Sequence, residues 1–138
     1  MVKRTFWFLL AIFVLILGQL FIPLIRNLFR GSLLFLLPFI IFSSAGAILI
    51  LLTLKKKVKG GLKKFLIFTG ASASGFFISV LLHNLFYGLG QTTEHIFWLH
   101  TLLEIFNVVF FIIAIVICPI GFLIGTIGVI ILFRKNKK

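Results

Sequence analysis

The residues best equipped for chemistry are few in this 138-residue chain, and they gather at one level of it. His100 and Glu104 stand four positions apart, which puts an imidazole and a carboxylate on one face of a helix, and Asn107 continues that face. His83 and Asn84 close the preceding apolar run, and Gln19 lies at a matching depth in the first. His83, Asn84, His100, Glu104, Asn107 and Gln19 form a candidate polar pocket. An imidazole and a carboxylate at this spacing can share a divalent transition metal, with His83, His100 and Glu104 as the ligand set. The same pair can move a proton near neutral pH. A single His-x-x-x-Glu also recurs often by chance. The simpler reading is polar capping of an interface, with the side chains bonded to neighbouring backbone. A haem between His83 and either His95 or His100 would sit at the outer edge with no second His pair. It is disfavoured, and no cofactor is expected.

Other catalytic sets are missing from the sequence. Asp is absent, so no Ser-His-Asp triad can form, and Cys118 is the single Cys, which excludes paired-cysteine disulfide chemistry within one chain. The glycine-rich segments lie inside apolar runs, which leaves no phosphate-binding loop. No acid falls in the core of a run, which counts against ion-coupled transport.

The elements that must position these groups are membrane spans. Hydrophobic residues make up 62% of the chain, charged residues 12%, and the mean hydropathy is +1.29. Four apolar runs stand out, at about Thr5–Ile25, Leu33–Leu54, Phe65–Leu89 and Ile105–Phe133. Each is long enough for a transmembrane helix. The runs are continuous rather than alternating, which favours helices over a barrel. The expected fold is a single-domain, all-α integral membrane protein over residues 1–138, a four-transmembrane-helix bundle. The first run, behind Lys3 and Arg4, reads as a retained signal anchor.

Charge predicts orientation. Lys3 and Arg4, the six lysines Lys55, Lys56, Lys57, Lys59, Lys63 and Lys64, and the terminal Arg134, Lys135, Lys137 and Lys138 fall on one side of a four-span chain. Only Arg26 and Arg30 fall on the other, together with Glu94, Glu104 and all three His. The positive-inside rule then puts both termini in the cytoplasm. Splitting the last run at Pro119 would give five spans and export the basic tail, and is the less favoured count. Arg26 and Arg30 are candidate external partners for Glu94 and Glu104. The polybasic stretch from Lys55 to Lys64 is expected to rest on an anionic inner leaflet. It lacks the stacking or base-reading groups that nucleic acid binding needs.

Small residues mark the expected packing faces, because lipid gives apolar helices little reason to hide from each other. They are Ser43 and Ala47 in the second span and Gly70, Ser72, Ser74, Gly75 and Ser79 in the third. In the fourth they are Cys118, Gly121, Gly125 and Gly128. The spacing predicts a crossing of about 20°. The 19 Phe are expected mostly to face lipid. Pro119 is expected to kink the last span. Thr92 or Thr93 is expected to cap a short outer interfacial helix before that span. Trp98 and Tyr87 suit the outer interface, and Trp7 the inner one.

The blocks Lys63-Lys64-Phe65-Leu66-Ile67-Phe68-Thr69-Gly70-Ala71-Ser72-Ala73-Ser74-Gly75, Leu82-His83-Asn84 and Cys118-Pro119-Ile120-Gly121 resemble those of small uncharacterised prokaryotic integral membrane proteins. The resemblance covers mainly the last two spans. It implies a bacterial or archaeal plasma membrane and assigns no activity. The favoured role is structural, accessory or regulatory, exercised through helix–helix association with a membrane protein partner or in a homo-oligomer. The alternative is binding or transport of a small ligand or metal ion at the outer polar pocket. A membrane-embedded enzyme using His83, His100 and Glu104 comes third.

Overall fold

A computed structural model describes residues 1–29 and 33–135 of the chain. Arg30, Lys137 and Lys138 lie outside the described residues. The elements are α1 (Val2–Phe21), α2 (Pro23–Phe29), a 3-10 turn at Leu33–Phe35, α3 (Leu37–Lys55), α4 (Gly60–Thr92), α5 (Phe97–Ile112) and α6 (Cys118–Lys135). A π turn, Ile113–Ile117, joins α5 to α6 in one rod.

Four helices are long and apolar enough to cross a membrane: Val2–Phe21, Leu37–Lys55, Gly60–Thr92 and Phe97–Lys135. No more than 39% of the most apolar window of any of them is buried within the bundle. Left in water, so much exposed Leu, Ile and Phe would aggregate. The chain is a small multi-pass helical membrane protein.

Local chemistry explains where the helices depart from the expected runs. The first span does not continue to Ile25. Ile22 is extended (φ −96°, ψ 110°), because the ring of Pro23 crowds the helical conformation of the residue before it. Pro23 then opens α2, where its missing N–H costs nothing. The lysine-rich loop is also shorter than its sequence suggests. Only residues 56–59 form the turn, with Lys57 in the left-handed region (φ 50°). Lys63 and Lys64 ride on the first turns of α4.

No separate interfacial helix precedes the last span. The chain reverses over residues 93–96, and Phe97 begins the long final rod directly. Thr92 and Thr93 do not cap it. Their hydroxyls donate back to the Leu89 carbonyl at 2.8 and 2.9 Å, closing the end of α4, where carbonyls have no partner in the helix. Pro119 is accommodated by the π turn just before it, in which the Cys118 N–H reaches the Ile113 carbonyl. In a regular helix the Pro119 ring would strike the carbonyl of Ile115, and widening the preceding turn relieves that crowding.

α4 is the central element, with α3 antiparallel on one side and α6 antiparallel on another. Against α3 the backbones nearly touch. A Cβ on Gly46 would lie 2.7 Å from the Gly70 carbonyl oxygen, and one on Gly70 would lie 2.7 Å from that of Gly46. One turn away, Ser43 Oγ donates to the Ser74 carbonyl and Ser74 Oγ to the Ser43 carbonyl, both at 3.1 Å. Ala47, expected on this face, is exposed, and Gly46 holds the contact instead. Against α6, Gly121 meets Ser72, Gly125 meets Thr69, and Gly128 meets the Phe65 ring. The alternating steps of four and three are those of left-handed helix packing.

The expectation that Phe mostly faces lipid has clear exceptions. Phe6, Phe39, Phe42 and Phe122 are buried. Phe13 of α1, Phe42 of α3 and Phe122 of α6 form a trio with ring centroids 4.5 to 5.8 Å apart. The small residues of α1 do not serve the bundle, since Ala11 is exposed and Gly18 faces Ile22 and Ile25, so rings fill the wider gap.

The Gly46–Gly70 contact yields a contrast between adjacent positions. Gly46→Leu should destabilise the bundle by about 2 kcal/mol through overpacking. Ala47→Leu, one residue on and exposed, should leave stability nearly unchanged. Denaturant unfolding in detergent micelles reads both. Equal losses would mean that α3 packs through another face.

Candidate functional site

The polar residues collect at the end of the bundle opposite the lysine turn, on the α4/α5 hairpin. Two of the three histidines, His83 and His100, are held through a backbone carbonyl of the facing helix. His100 Nδ1 lies 3.0 Å from the Gly90 oxygen, and His83 Nδ1 lies 3.1 Å from the Asn107 oxygen. A carbonyl can only accept, so Nδ1 carries the hydrogen in both rings and Nε2 is left free. The carbonyl of Gly90 is available because it falls in the last turn of α4. The His83 ring packs against Phe111, with centroids 5.2 Å apart, and Phe86 stacks on Phe106 and Phe110.

His100 Nε2 points toward Glu104 Oε2 at 3.9 Å. The glutamate side chain is 64% exposed, so the pair is long and well solvated and contributes little. Beside it lies a cleft of about 50 Å³ lined by Tyr87, Gly90, Gln91, His100, Glu104 and Asn107, with Phe86 as its wall. A water or a monatomic ion fits such a volume. The Oδ1 of Asn107 is buried there without a hydrogen-bond partner.

The six expected pocket residues are not brought together. His100, Glu104 and Asn107 share the cleft. Asn84 donates to the Val80 carbonyl of its own helix and is exposed. Gln19 is fully buried, donating to the Phe35 carbonyl at 2.9 Å, so it fastens α1 to the entry of α3. His83 binds at Asn107, whereas His100 binds at Gly90. Those levels are separated by seven residues of α4, about 10 Å along its axis. The expected ligand set of His83, His100 and Glu104 therefore does not converge, and neither does a pair of haem-ligating His83 and His100. Among the described residues no three His, Cys, Asp or Glu side chains cluster. Arg26 makes no ion pair with Glu94 or Glu104 among the described residues.

Tyr87, Gly90 and Gln91 join the cleft although nothing in their spacing marks them as site residues. A second cavity, of about 100 Å³, lies inside the bundle beside Cys118 and Pro119, walled by Phe13, Phe42, Phe76 and Phe122. Its lining is almost entirely apolar.

Comparison with protein families, with curated proteins and with solved structures finds no match for the chain.

The two histidine bonds make the hairpin a separately testable unit. His83→Ala and His100→Ala should each cost about 1 kcal/mol. Faster amide exchange should appear in residues 83–107 before the α3/α4 contact responds. Glu104→Gln should change little. An effect of Glu104→Gln as large as that of His100→Ala would make the ion pair, not the backbone bond, the fastening.

Proposed function

We propose that the chain is a small accessory membrane protein, structural or regulatory in role, that acts by lateral helix–helix association along α5. The observation that carries this reading is the bareness of α5. Of its 16 residues only Leu103 is buried. α4 has 33 residues against 19 in α3, so the hairpin outreaches its neighbours by about 20 Å. Beyond their ends the packing partner of α5 among the described residues is α4. Its outward face carries Thr101, Ile105, Val108 and Ile112 at steps of four, three and four, the spacing of a helix-packing seam. A groove follows it, lined by Thr101, Glu104, Ile105, Val108 and Val109. The occupant proposed is a transmembrane helix of a second membrane protein. We place the basic end in the cytoplasm, in the plasma membrane of a bacterium or archaeon, on the strength of the one-sided lysines and arginines.

A photoreactive residue at Val108, compared in intact cells with one at Ile48, tests this. The two positions are equally exposed, at 50% and 49%. Val108 should give an adduct of one discrete mass and Ile48 none. Lipid adducts alone from both positions would sink the reading. An adduct at twice the chain's own mass would replace the partner by a second copy.

One observation favours a second reading, in which the cleft binds a divalent cation. Asn107 Oδ1, the free Nε2 of His100 and the Glu104 carboxylate all border the same small space. Calorimetric titration of the purified protein with zinc should then show saturable binding that His100→Ala abolishes. Absence of heat in the parent protein removes this reading.

A further inference from the structure

At the basic end of the bundle, the outward side of α4 holds a shallow open trough. It is bounded by Gly60, Lys63, Lys64, Ile67, Phe68 and Ala71. These residues recur at helical spacing on the side of α4 between its α3 and α6 flanks, with Phe68 at the α6 edge, where its ring also borders Gly121. The close packing uses Gly70 and Ala73 toward α3 and Phe65, Thr69 and Ser72 toward α6. The trough exists because its two ends are small. Gly60 offers no side chain, and Ala71 offers one methyl between the flanking Ile67 and Phe68. Gly60 to Ala71 spans about 16 Å of helix, from the lysine level into the apolar zone.

We infer that this trough is a binding site for a single anionic glycerophospholipid. The chemistry is graded along the helix in the order a lipid needs. Both ammonium groups sit on exposed stems at headgroup level, where they meet a phosphate and a second negative group. The apolar floor beyond them takes the first part of one acyl chain. A zwitterionic lipid would fill the floor equally well and gain less from the lysines. The four other lysines near the turn, Lys55, Lys56, Lys57 and Lys59, are not part of the trough. A diffuse attraction would use all six lysines, and a built site uses two. The site lies on α4 and does not depend on association through α5.

Native mass spectrometry of the purified full chain tests this, with phosphatidylglycerol and phosphatidylcholine of the same acyl composition offered in turn. One phosphatidylglycerol should be retained in preference to phosphatidylcholine. Lys63→Ala and Lys64→Ala should each weaken retention about fivefold, while the pair Lys55→Ala with Lys56→Ala leaves it unchanged. Ala71→Trp should abolish retention with every charge intact, and Ala71→Leu should reduce it. Both side chains point outward, so thermal unfolding of these variants should match the parent. Equal retention of the two lipids overturns the site. So does an equal loss from the Lys55/Lys56 pair, or undiminished binding in the two Ala71 variants.

Discussion

The fold depends on the near-contact of two backbones, α3 and α4, at Gly46 and Gly70. In a bilayer, apolar helices gain almost nothing by leaving lipid for each other, so close approach must supply the stabilisation through dispersion and polar contacts. Absence of a side chain on both helices at one level permits that approach. It also brings the Ser43 and Ser74 hydroxyls within reach of the opposite carbonyls, where each finds an acceptor that lipid lacks. The α4/α6 seam repeats the device with Gly121, Gly125 and Gly128. α4 is therefore gripped on two flanks, and its remaining side is left to the surroundings.

That arrangement divides the molecule. Near the lysine turn, three helices meet through small residues and α1 is added through Phe13, Phe42 and Phe122. Toward the other end α1 and α3 stop, and the α4/α5 hairpin continues as a pair. Glycine contacts give way there to stacked rings and to two histidines fastened to carbonyls. The π turn at Ile113–Ile117 lies at the boundary. An extra residue in a turn rotates the next stretch of helix by about 100°. This lets one continuous rod present its glycines to α4 below the turn and Asn107, Leu103 and His100 above it.

The four apolar helices were legible because a 20-residue apolar run has few other meanings. Their ends were less so. Gly60 and Gly61 read as loop residues, yet they open α4, since a positive φ at Gly60 is what turns the chain into the helix. A step of four from Ser43 leads to Ala47, whereas the contact with α4 uses a step of three and falls on Gly46. The buried phenylalanines were hidden by the assumption that small residues mediate all packing. That fails for α1, and even between α3 and α4 the Phe39 ring stacks on Phe76. In the polar group, the pairing of His100 with Glu104 follows from spacing alone. The Gly90 and Asn107 carbonyls carry no side-chain signature, so residue types alone could not point to them.

The four-residue turn between α3 and α4 bears on how the protein enters its membrane. Helices joined so tightly can leave the insertion machinery together, as a preformed hairpin. Ser43 and Ser74 are then already paired when they first meet hydrocarbon, and neither helix has to pass through lipid with an unsatisfied hydroxyl. In the orientation proposed above, the lysines at the turn would resist translocation and hold the loop on the side of synthesis. The contact that stabilises the finished bundle would in this way also set the order in which it is built.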